Sequence, residues 1–395
     1  MNAARVRRRM AAALLLVAAA GLLSPPGCTT GKKRAPGPLR VWLLAEPEAE
    51  PMFRTLVDEF KQKSGIEVEL VLKEAYEIRA LLLNHPRDLE GKVDLIEIDL
   101  FDLEDAAPVM DDLTPVMVQL EQSARLYKGS FQAGEFEGRQ LLVPWRLSWP
   151  IMLASNQVGA PRTWAALGRI TRNNPGQVMV PALDDREFFA FLCTLVWSFG
   201  GDPAEPYEPG IFEAFQWLQR VSNVLHKDSG ATRAAEVASF PAADRPLIFF
   251  EWPQGLLPFI LNGSLQMDLK AAPCPCGGRG NCPLFSFGRY LGIPKKAPHP
   301  EDAQRFILHL ISPGSQRAII FGSPWLPISS DGWGQLGARD LGYRAFSVSA
   351  NNIKAPPRPL SKIKKAMDEA GKMLLIEHST ADDAITKYRK IMEQE

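Results

Sequence analysis

The chain has 395 residues, of which 46% are hydrophobic, and its 45 Lys and Arg are offset by 45 Asp and Glu. This length and apolar content exclude a disordered chain or a single small module, and they are enough for two domains of about 100–200 residues each. Because the formal net charge is zero, no overall field favours a nucleic acid as a partner.

The N-terminus has the pattern of an export signal. Arginines within residues 5–9 precede an apolar stretch at 10–23, which is shorter than the roughly 20 residues that a membrane-spanning helix needs. The small residue Gly27 stands directly before Cys28, which resembles the cleavage site of a bacterial lipoprotein signal. We therefore expect a signal peptide at 1–27 and a lipid on Cys28; an ordinary secretory peptide with a free Cys28 thiol is the alternative.

A flexible tether is predicted after the signal. Residues 28–38 are rich in Gly, Pro and Lys and have no apolar periodicity. A tether that follows a lipid anchor holds the body of the protein just above a membrane. We expect an exported, membrane-anchored protein that faces the periplasm or the cell exterior.

Strands and helices alternate from Leu39 onward. A short apolar run at 41–44 is followed by apolar residues at helical spacing over 52–60, and then by candidate strands at 66–70 and 93–98. This alternation predicts an α/β fold with a parallel sheet.

The rest of the chain predicts a more helical middle, an irregular loop at 272–283 and a helical C-terminus. Strands are predicted at 247–250 and 290–293. The predicted helices are 186–199, 210–225, 300–312, 315–321, 361–376 and 381–392.

Four stretches occur in the order that they have in a known family. They are VWLLAEPEAEPMFRTLVDEFKQKSGIEVEL from Val41, KVDLIEIDLFDLEDAAPVMDDLTPV from Lys92, LVPWRLSWPIMLASNQVGAPRTWAAL from Leu142 and GRYLGIPKKAPHPEDAQRFILHLISPGSQRAIIFGSPWLPIS from Gly288. On these stretches the chain resembles the extracellular solute-binding proteins of ABC importers, in the family that includes maltose-binding protein. The match covers nearly the whole body of the chain.

The resemblance implies a two-lobed α/β fold of the type II periplasmic-binding-protein kind, with a cleft between the lobes and strands that cross between them. We expect one lobe from residues 39–143 plus 283–324 and the other from 144–282 plus 325–395.

The function that the resemblance implies is capture of a small solute and its delivery to the membrane subunits of an ABC transporter. A sugar or oligosaccharide is the leading ligand class, and polyamines, organic phosphates and metal chelates are the alternatives. We expect a monomer that binds no nucleic acid. A sensor or accessory envelope lipoprotein that docks a protein partner is the alternative function.

A sugar cleft needs flat apolar faces together with side chains that hydrogen-bond hydroxyl groups. The predicted ligand contacts, weighed with the resemblance, are Trp42, Glu46, Asp99, Trp145, Arg146, Glu251, Trp252 and Trp325. Trp42, Glu46 and Asp99 lie in or after predicted strands, whose carboxyl ends commonly line clefts. Core packing is the alternative for each Trp, and an ion pair with Glu251 is an alternative for Arg146.

Three cysteines, Cys274, Cys276 and Cys282, lie close together, and Cys193 stands alone in an apolar helix. We expect a disulfide in an exported protein, with Cys282 joined to Cys274 or Cys276. A metal site is the alternative, although the spacing lacks the paired Cys-x2-Cys of common zinc sites.

Catalytic signals are weak along the whole chain. The motifs H-E-x-x-H, G-x-S-x-G and G-x-x-x-x-G-K-[ST] do not occur. We therefore expect a protein that is not an enzyme and that has no cofactor and no metal.

Overall fold

A computed structural model of the protein describes most of residues 37–394. The residues outside that description are 1–36, 124–125, 184, 231–236, 238–239, 241–243, 257–267, 279, 281, 334–339 and 395. The predicted signal peptide and the lipid-bearing Cys28 therefore lie outside the described residues.

The described strands and helices alternate along much of the chain. The strands are β1 (Leu39–Leu44), β2 (Val68–Lys73), β3 (Leu95–Asp99), β4 (Glu135–Phe136), β5 (Arg139–Gln140), β6 (Val143–Ser148), β7 (Ile151–Ser155), β8 (Val178–Met179), β9 (Ile248–Glu251), β10 (Leu269–Ala272), β11 (Leu284–Phe285), β12 (Phe287–Gly292) and β13 (Ile353–Lys354). The α-helices are α1 (Glu50–Ser64), α2 (Ala75–Asn84), α3 (Leu103–Ala106), α4 (Thr114–Ser123), α5 (Lys128–Gln132), α6 (Trp164–Asn173), α7 (Arg186–Ser198), α8 (Pro209–Ser222), α9 (Pro300–Ile311), α10 (Pro313–Gly322), α11 (Asp340–Ser349), α12 (Leu360–Leu375) and α13 (Ala381–Glu393).

The first sheet has the strand order β2-β1-β3-β12-β6. Strand β1 runs parallel to β2 and β3, whereas β12 runs antiparallel to β3 and β6. Strands β6 and β12 are buried along their whole length, as is typical of strands covered on both faces. Because β1 and β3 are parallel, their carboxyl ends lie at the same edge of the sheet.

Helix α1 shows how the sequence builds the layer over this sheet. It begins with Pro51 in its first turn, where the missing N–H costs nothing. It ends at Gly65, whose φ of 70° lies in the left-handed region and whose N–H donates to the carbonyl of Lys61. The residues that it buries, Phe53 and Phe60 among them, recur at helical spacing on one face.

The second sheet has the order β10-β7-β9-β8, with β7 antiparallel to both neighbours and β8 parallel to β9. Helix α7 is buried at every residue from Phe188 to Ser198. This pattern is typical of a helix at the centre of a packed layer. No helix among the described residues combines the length and the apolar character that crossing a membrane requires.

The chain passes from the first sheet to the second through a very short connection. Strand β6 ends at Ser148 and β7 begins at Ile151, so that Trp149 and Pro150 alone separate them. The crossing was expected between residues 143 and 144, but Val143 and Pro144 already pair with β12 of the first sheet. The lobe boundaries as a whole stay a prediction.

Most predicted helices begin and end within a few residues of the observed ones. The helix predicted at 210–225 is shorter in the structure than predicted, because α8 ends at Ser222. The helix predicted at 381–392 is α13, and the hydroxyl of Thr380 accepts a hydrogen bond from the backbone N–H of Asp383 at its start.

Candidate ligand-binding cleft

Charged side chains converge where the strands of the first sheet end. Glu46 follows β1, Asp99 closes β3, and Arg289 lies opposite Asp99 on β12. Arg146 lies opposite Arg289 on β6. With Glu97 of β3, these five residues form a group that we call the buried charge cluster.

The carboxylate of Glu97 is the best-satisfied acidic group in this cluster. It accepts hydrogen bonds from the backbone N–H of Leu44 at 2.7 Å and from Trp145 Nε1 at 2.8 Å. Arg146 Nη2 lies 2.5 Å from Glu97 Oε1, and Arg146 Nη1 lies 2.6 Å from Glu46 Oε2. Since Arg146 and Glu97 are both fully buried, their charges depend on this mutual pairing.

Aromatic rings close over the guanidinium groups of the cluster. The centroid of the Trp325 ring lies 5.3 Å from the Arg146 guanidinium and 5.0 Å from that of Arg289. The indole Nε1 of Trp325 also donates to Glu46 Oε2 at 2.9 Å. These cation–π contacts and the hydrogen bond hold the Trp325 ring against the cluster.

Beside the cluster lies an open cleft with a volume of about 550 Å³. One wall comes from α2 and from the segment after β3, and the other comes from the starts of α7 and α12. The described lining residues are Ala75, Tyr76, Arg79, Asp99, Phe101, Asp102, Asp185, Arg186, Ser361 and Lys364. This volume falls within the range of small-molecule sites.

Asp99 connects the two walls of the cleft. Its carboxylate forms an ion pair with Arg289 of the first sheet and another, at 2.9 Å, with Nη1 of Arg186 at the start of α7. The aspartate therefore holds a residue of the opposite wall while it remains anchored to its own sheet.

Among the described carboxyls that line the cleft, Asp102 has a strongly raised pKa. Its desolvation by burial and then the negative charge of Asp99 raise the pKa of Asp102 to about 6, against the opposing effect of Arg79. Arg79 Nε lies 3.7 Å from the Asp102 carboxylate. Asp102 therefore exchanges a proton close to neutral pH.

A sequence comparison identifies the family. The profile of the bacterial extracellular solute-binding proteins matches residues 55–331, which is more than half of the chain. The chain belongs to this family. In a search of curated proteins, no sequence matched that of this solute-binding protein.

Solved structures with the same fold include several binding proteins. The sugar-binding protein MalE of Xanthomonas citri is 17% identical, with a TM-score of 0.78 over 90% of this chain and 97% of that one. The cyclic α-maltosyl-1,6-maltose binding protein of Arthrobacter globiformis is 14% identical, with a TM-score of 0.74 over 90% and 98%. UgpB of Mycobacterium tuberculosis, solved with glycerophosphocholine, is 18% identical, with a TM-score of 0.67 over 91% and 98%. This solute-binding protein therefore has their two-lobed α/β fold.

Of the eight residues predicted as ligand contacts, Asp99 lines the cleft. Glu46 and Arg146 belong to the buried charge cluster, and Trp145 and Trp325 pack against it. The ring of Trp42 is half-buried on β1, and the Lys73 ammonium lies 5.4 Å from its centroid.

The other two predicted contacts, Glu251 and Trp252, lie at the end of β9 in the second sheet, and both are fully buried. The suggested ion pair between Arg146 and Glu251 is wrong, because Arg146 is paired with Glu46 and Glu97. Glu251 Oε1 accepts from the backbone N–H of Trp252, while Oε2 has no hydrogen-bond partner among the described residues. Desolvation raises the pKa of Glu251 well above its ordinary value.

Sequence reasoning missed most of the residues that line the cleft, among them Tyr76, Arg79, Phe101, Arg186 and Lys364. The sequence nevertheless contained a signal for two of these residues. Tyr76 and Arg186 stand at the starts of helices, and in open α/β sheets the loops between strands and helices surround the ligand. The predicted contacts Trp145, Trp252 and Trp325 are buried instead.

Cys276 and Cys282 form a disulfide, which is one of the two pairings that the sequence left open. Cys193 and Cys274 are buried thiols, and desolvation raises the pKa of both. Among the described residues, no group of three or more His, Cys, Asp or Glu is arranged to hold a metal ion.

Proposed function

We propose that this protein captures a carbohydrate in the cleft and delivers it to the membrane subunits of an ABC importer. The observation that carries the proposal is the composition of the cleft, where the exposed ring of Tyr76 and the half-buried ring of Phe101 lie on one wall and charged hydrogen-bonding groups lie on both walls. This is the mixture that sugar recognition requires.

Each wall contributes its own part of this mixture. The ring of Tyr76 is 72% exposed and offers a face for the C–H surface of a sugar. Arg79 stands one turn further along the same helix, and the Lys364 ammonium, which also pairs with Asp368 at 2.5 Å, lies on the other wall. Cation and carboxylate groups together suit a neutral ligand with many hydroxyls better than a ligand of high net charge.

The names of the structural neighbours support carbohydrate as the first class to test. Two of the proteins above are described as binding sugars, whereas UgpB was solved with glycerophosphocholine. A phosphodiester therefore belongs in the same test as the sugars.

The mechanism that we propose is ligand-stabilised closure. A ligand that contacts Tyr76 on one wall and Ser361 or Lys364 on the other stabilises the closed arrangement, which the transporter then distinguishes from the open one. The ion pair between Asp99 and Arg186 already connects the same two walls.

We also propose that the protein acts as a monomer, tethered to a membrane by a lipid on Cys28 after loss of residues 1–27. The support is the sequence pattern of arginines, apolar core and Gly27-Cys28. Mass spectrometry of the protein from a producing bacterium would give a diacylated or triacylated Cys28 as its first residue, and a free thiol there would contradict it.

The test of the cleft is thermal unfolding against maltose, maltodextrins, monosaccharides, polyamines and glycerophosphocholine. A ligand that binds only the folded state raises the midpoint as its concentration rises. With the best ligand, Tyr76→Ala should weaken binding about tenfold or more, because a stacked aromatic face is lost.

Tyr207→Ala is the matched control, because Tyr207 is also a highly exposed tyrosine but does not line the cleft. Its affinity should equal that of the parent protein. If no sugar raises the midpoint, or if both variants lose affinity equally, the carbohydrate proposal fails.

A further inference from the structure

A second pocket, with a volume of about 710 Å³, lies at a different place on the molecule. It is formed by α6, α8 and the loop closed by the Cys276–Cys282 disulfide, and we call it the basic pocket. Its described lining residues are Thr163, Trp164, Ala165, Gly168, Arg169, Arg172, Phe199, Trp217, Arg220, Cys276, Gly277 and Gly278. None of them lines the cleft.

The charges of the basic pocket all have one sign. Arg169, Arg172 and Arg220 are exposed, and none of the three forms an ion pair with another described residue. The described lining includes no Asp or Glu. In the cleft, by contrast, Arg79 and Arg186 each face an aspartate.

Unpaired guanidinium groups around one cavity are suited to an oxyanion. Each group offers N–H donors in a planar fork that matches the geometry of phosphate or carboxylate oxygens. Arg169 and Arg172 are three residues apart on α6 and thus on neighbouring positions of one helix face, and Arg220 approaches from α8.

The described part of the disulfide loop that lines the pocket is bonded to the chain beside α6. Besides the Cys276–Cys282 bond, the backbone N–H of Cys276 donates to the carbonyl of Arg162 at 2.9 Å. The N–H of Trp164 donates in turn to the carbonyl of Cys276 at 3.2 Å. These two hydrogen bonds hold Cys276 against the chain at the start of α6.

The floor of the pocket is aromatic. The rings of Trp164 and Trp217 are packed edge to face with centroids 5.3 Å apart, and Trp217 Nε1 donates to the carbonyl of Trp164. The Nε1 of Trp164 is buried and has no hydrogen-bond partner among the described residues. The pocket thus has apolar ring surface beside its arginines.

We propose that the basic pocket binds a small organic anion through a phosphate or similar oxyanion group, with its apolar part against Trp164, Trp217 and Phe199. Binding here is independent of the ligand in the cleft. It also gives a role to the disulfide loop, which the solute-capture function leaves unused.

The test is isothermal titration calorimetry of the purified full chain with phenyl phosphate, which combines the anion with a flat ring. The parent protein should bind it with a dissociation constant of about 1 mM or lower, which is the affinity expected when the anion makes strong charged contacts. The double variant Arg172→Gln/Arg220→Gln should weaken binding about tenfold or more, because two charge-assisted donors are lost. Rising salt should weaken binding to the parent.

The matched control is Arg305→Gln/Arg317→Gln, which removes two exposed arginines from α9 and α10, outside the pocket. It changes the net charge equally, so its affinity for phenyl phosphate should remain that of the parent. Because all four arginines are exposed, both double variants should fold, and their unfolding midpoints without ligand provide the check.

Two further arms distinguish the source of the anion. Inorganic phosphate tests a free anion, and vesicles of phosphatidylglycerol, compared with phosphatidylcholine, test a lipid headgroup. Binding in any arm that depends on Arg172 and Arg220 supports the site, and the arm with the highest affinity identifies the source. Absence of binding in every arm, or equal weakening in both double variants, overturns the proposal.

Discussion

Two glutamates, one in each of the two larger sheets, have the same burial and opposite surroundings. Glu97 on β3 and Glu251 on β9 are both 0% exposed. Glu97 receives a backbone N–H, an indole N–H and the Arg146 guanidinium. Glu251 receives the N–H of the next residue, and within the described part of the chain its second oxygen has no hydrogen-bond partner.

This difference is reflected in the pKa of Glu251. Around Glu97, a guanidinium and two N–H donors replace the water that burial removes. Desolvation without such a partner favours the neutral acid, and it raises the pKa of Glu251 well above the ordinary range. Glu97 thus lies in an ion pair with Arg146, whereas the buried Glu251 at the end of β9 has the N–H of Trp252 as its hydrogen-bond donor.

The largest predicted effect is that of Glu97→Gln. This change leaves the buried Arg146 with Glu46 as its remaining carboxylate partner, so that we expect a loss of about 3–5 kcal/mol in the free energy of unfolding. Denaturant unfolding measures it. Glu59→Gln is the control, because Glu59 pairs with Lys63 on the surface, and it should cost at most about 0.5 kcal/mol. Equal losses would show that the cluster is not held by charge.

The opposite behaviour is expected of Glu251→Gln. In the parent, the folded state keeps a proton that the unfolded state has lost once the pH exceeds the ordinary pKa of Glu, so that rising pH destabilises the fold. The variant lacks this penalty. Its unfolding midpoint should exceed that of the parent by about 4 °C or more at pH 8 and match it at pH 4. A difference that does not change with pH would contradict the raised pKa of Glu251.

The smallest effect is expected of Asp102, whose carboxyl is largely buried but has Arg79 beside it. Its pKa of about 6 means that the parent loses stability as the pH rises from the ordinary Asp range toward 6. Asp102→Asn should therefore raise the midpoint by about 2 °C at pH 7.5 and leave it unchanged at pH 4. Scans at both pH values measure this, and a lower midpoint at pH 7.5 would show that the pairing with Arg79 outweighs desolvation.

The sequence predicted the α/β layers because their signals are local. The apolar spacing of α1, its Pro51 and its Gly65 act within one helix, and the same is true of Thr380 before α13. These residues indicate an element and its ends without knowledge of its neighbours. The family likeness then supplied the arrangement of the layers.

The cleft was harder to predict because its side chains come together from distant parts of the chain. Asp99 meets Arg186 and Arg289 across separations of 87 and 190 residues, which no periodicity reveals. Trp145 and Trp252 were chosen for their residue type, yet a large apolar ring is equally suited to the core, where both are found. Tyr76 gave no such signal, although it is the exposed aromatic of the cleft.

The two-residue connection between the sheets limits how the halves of the molecule can move. Pro150 has a fixed φ, and the Trp149 ring lies edge-on to the rings of Tyr127, Trp333 and Phe346. A linkage this short and this tightly packed does not favour sliding of one sheet past the other. We expect the proposed closure of the cleft to be a rotation about this connection, with the largest displacement at the residues farthest from Trp149.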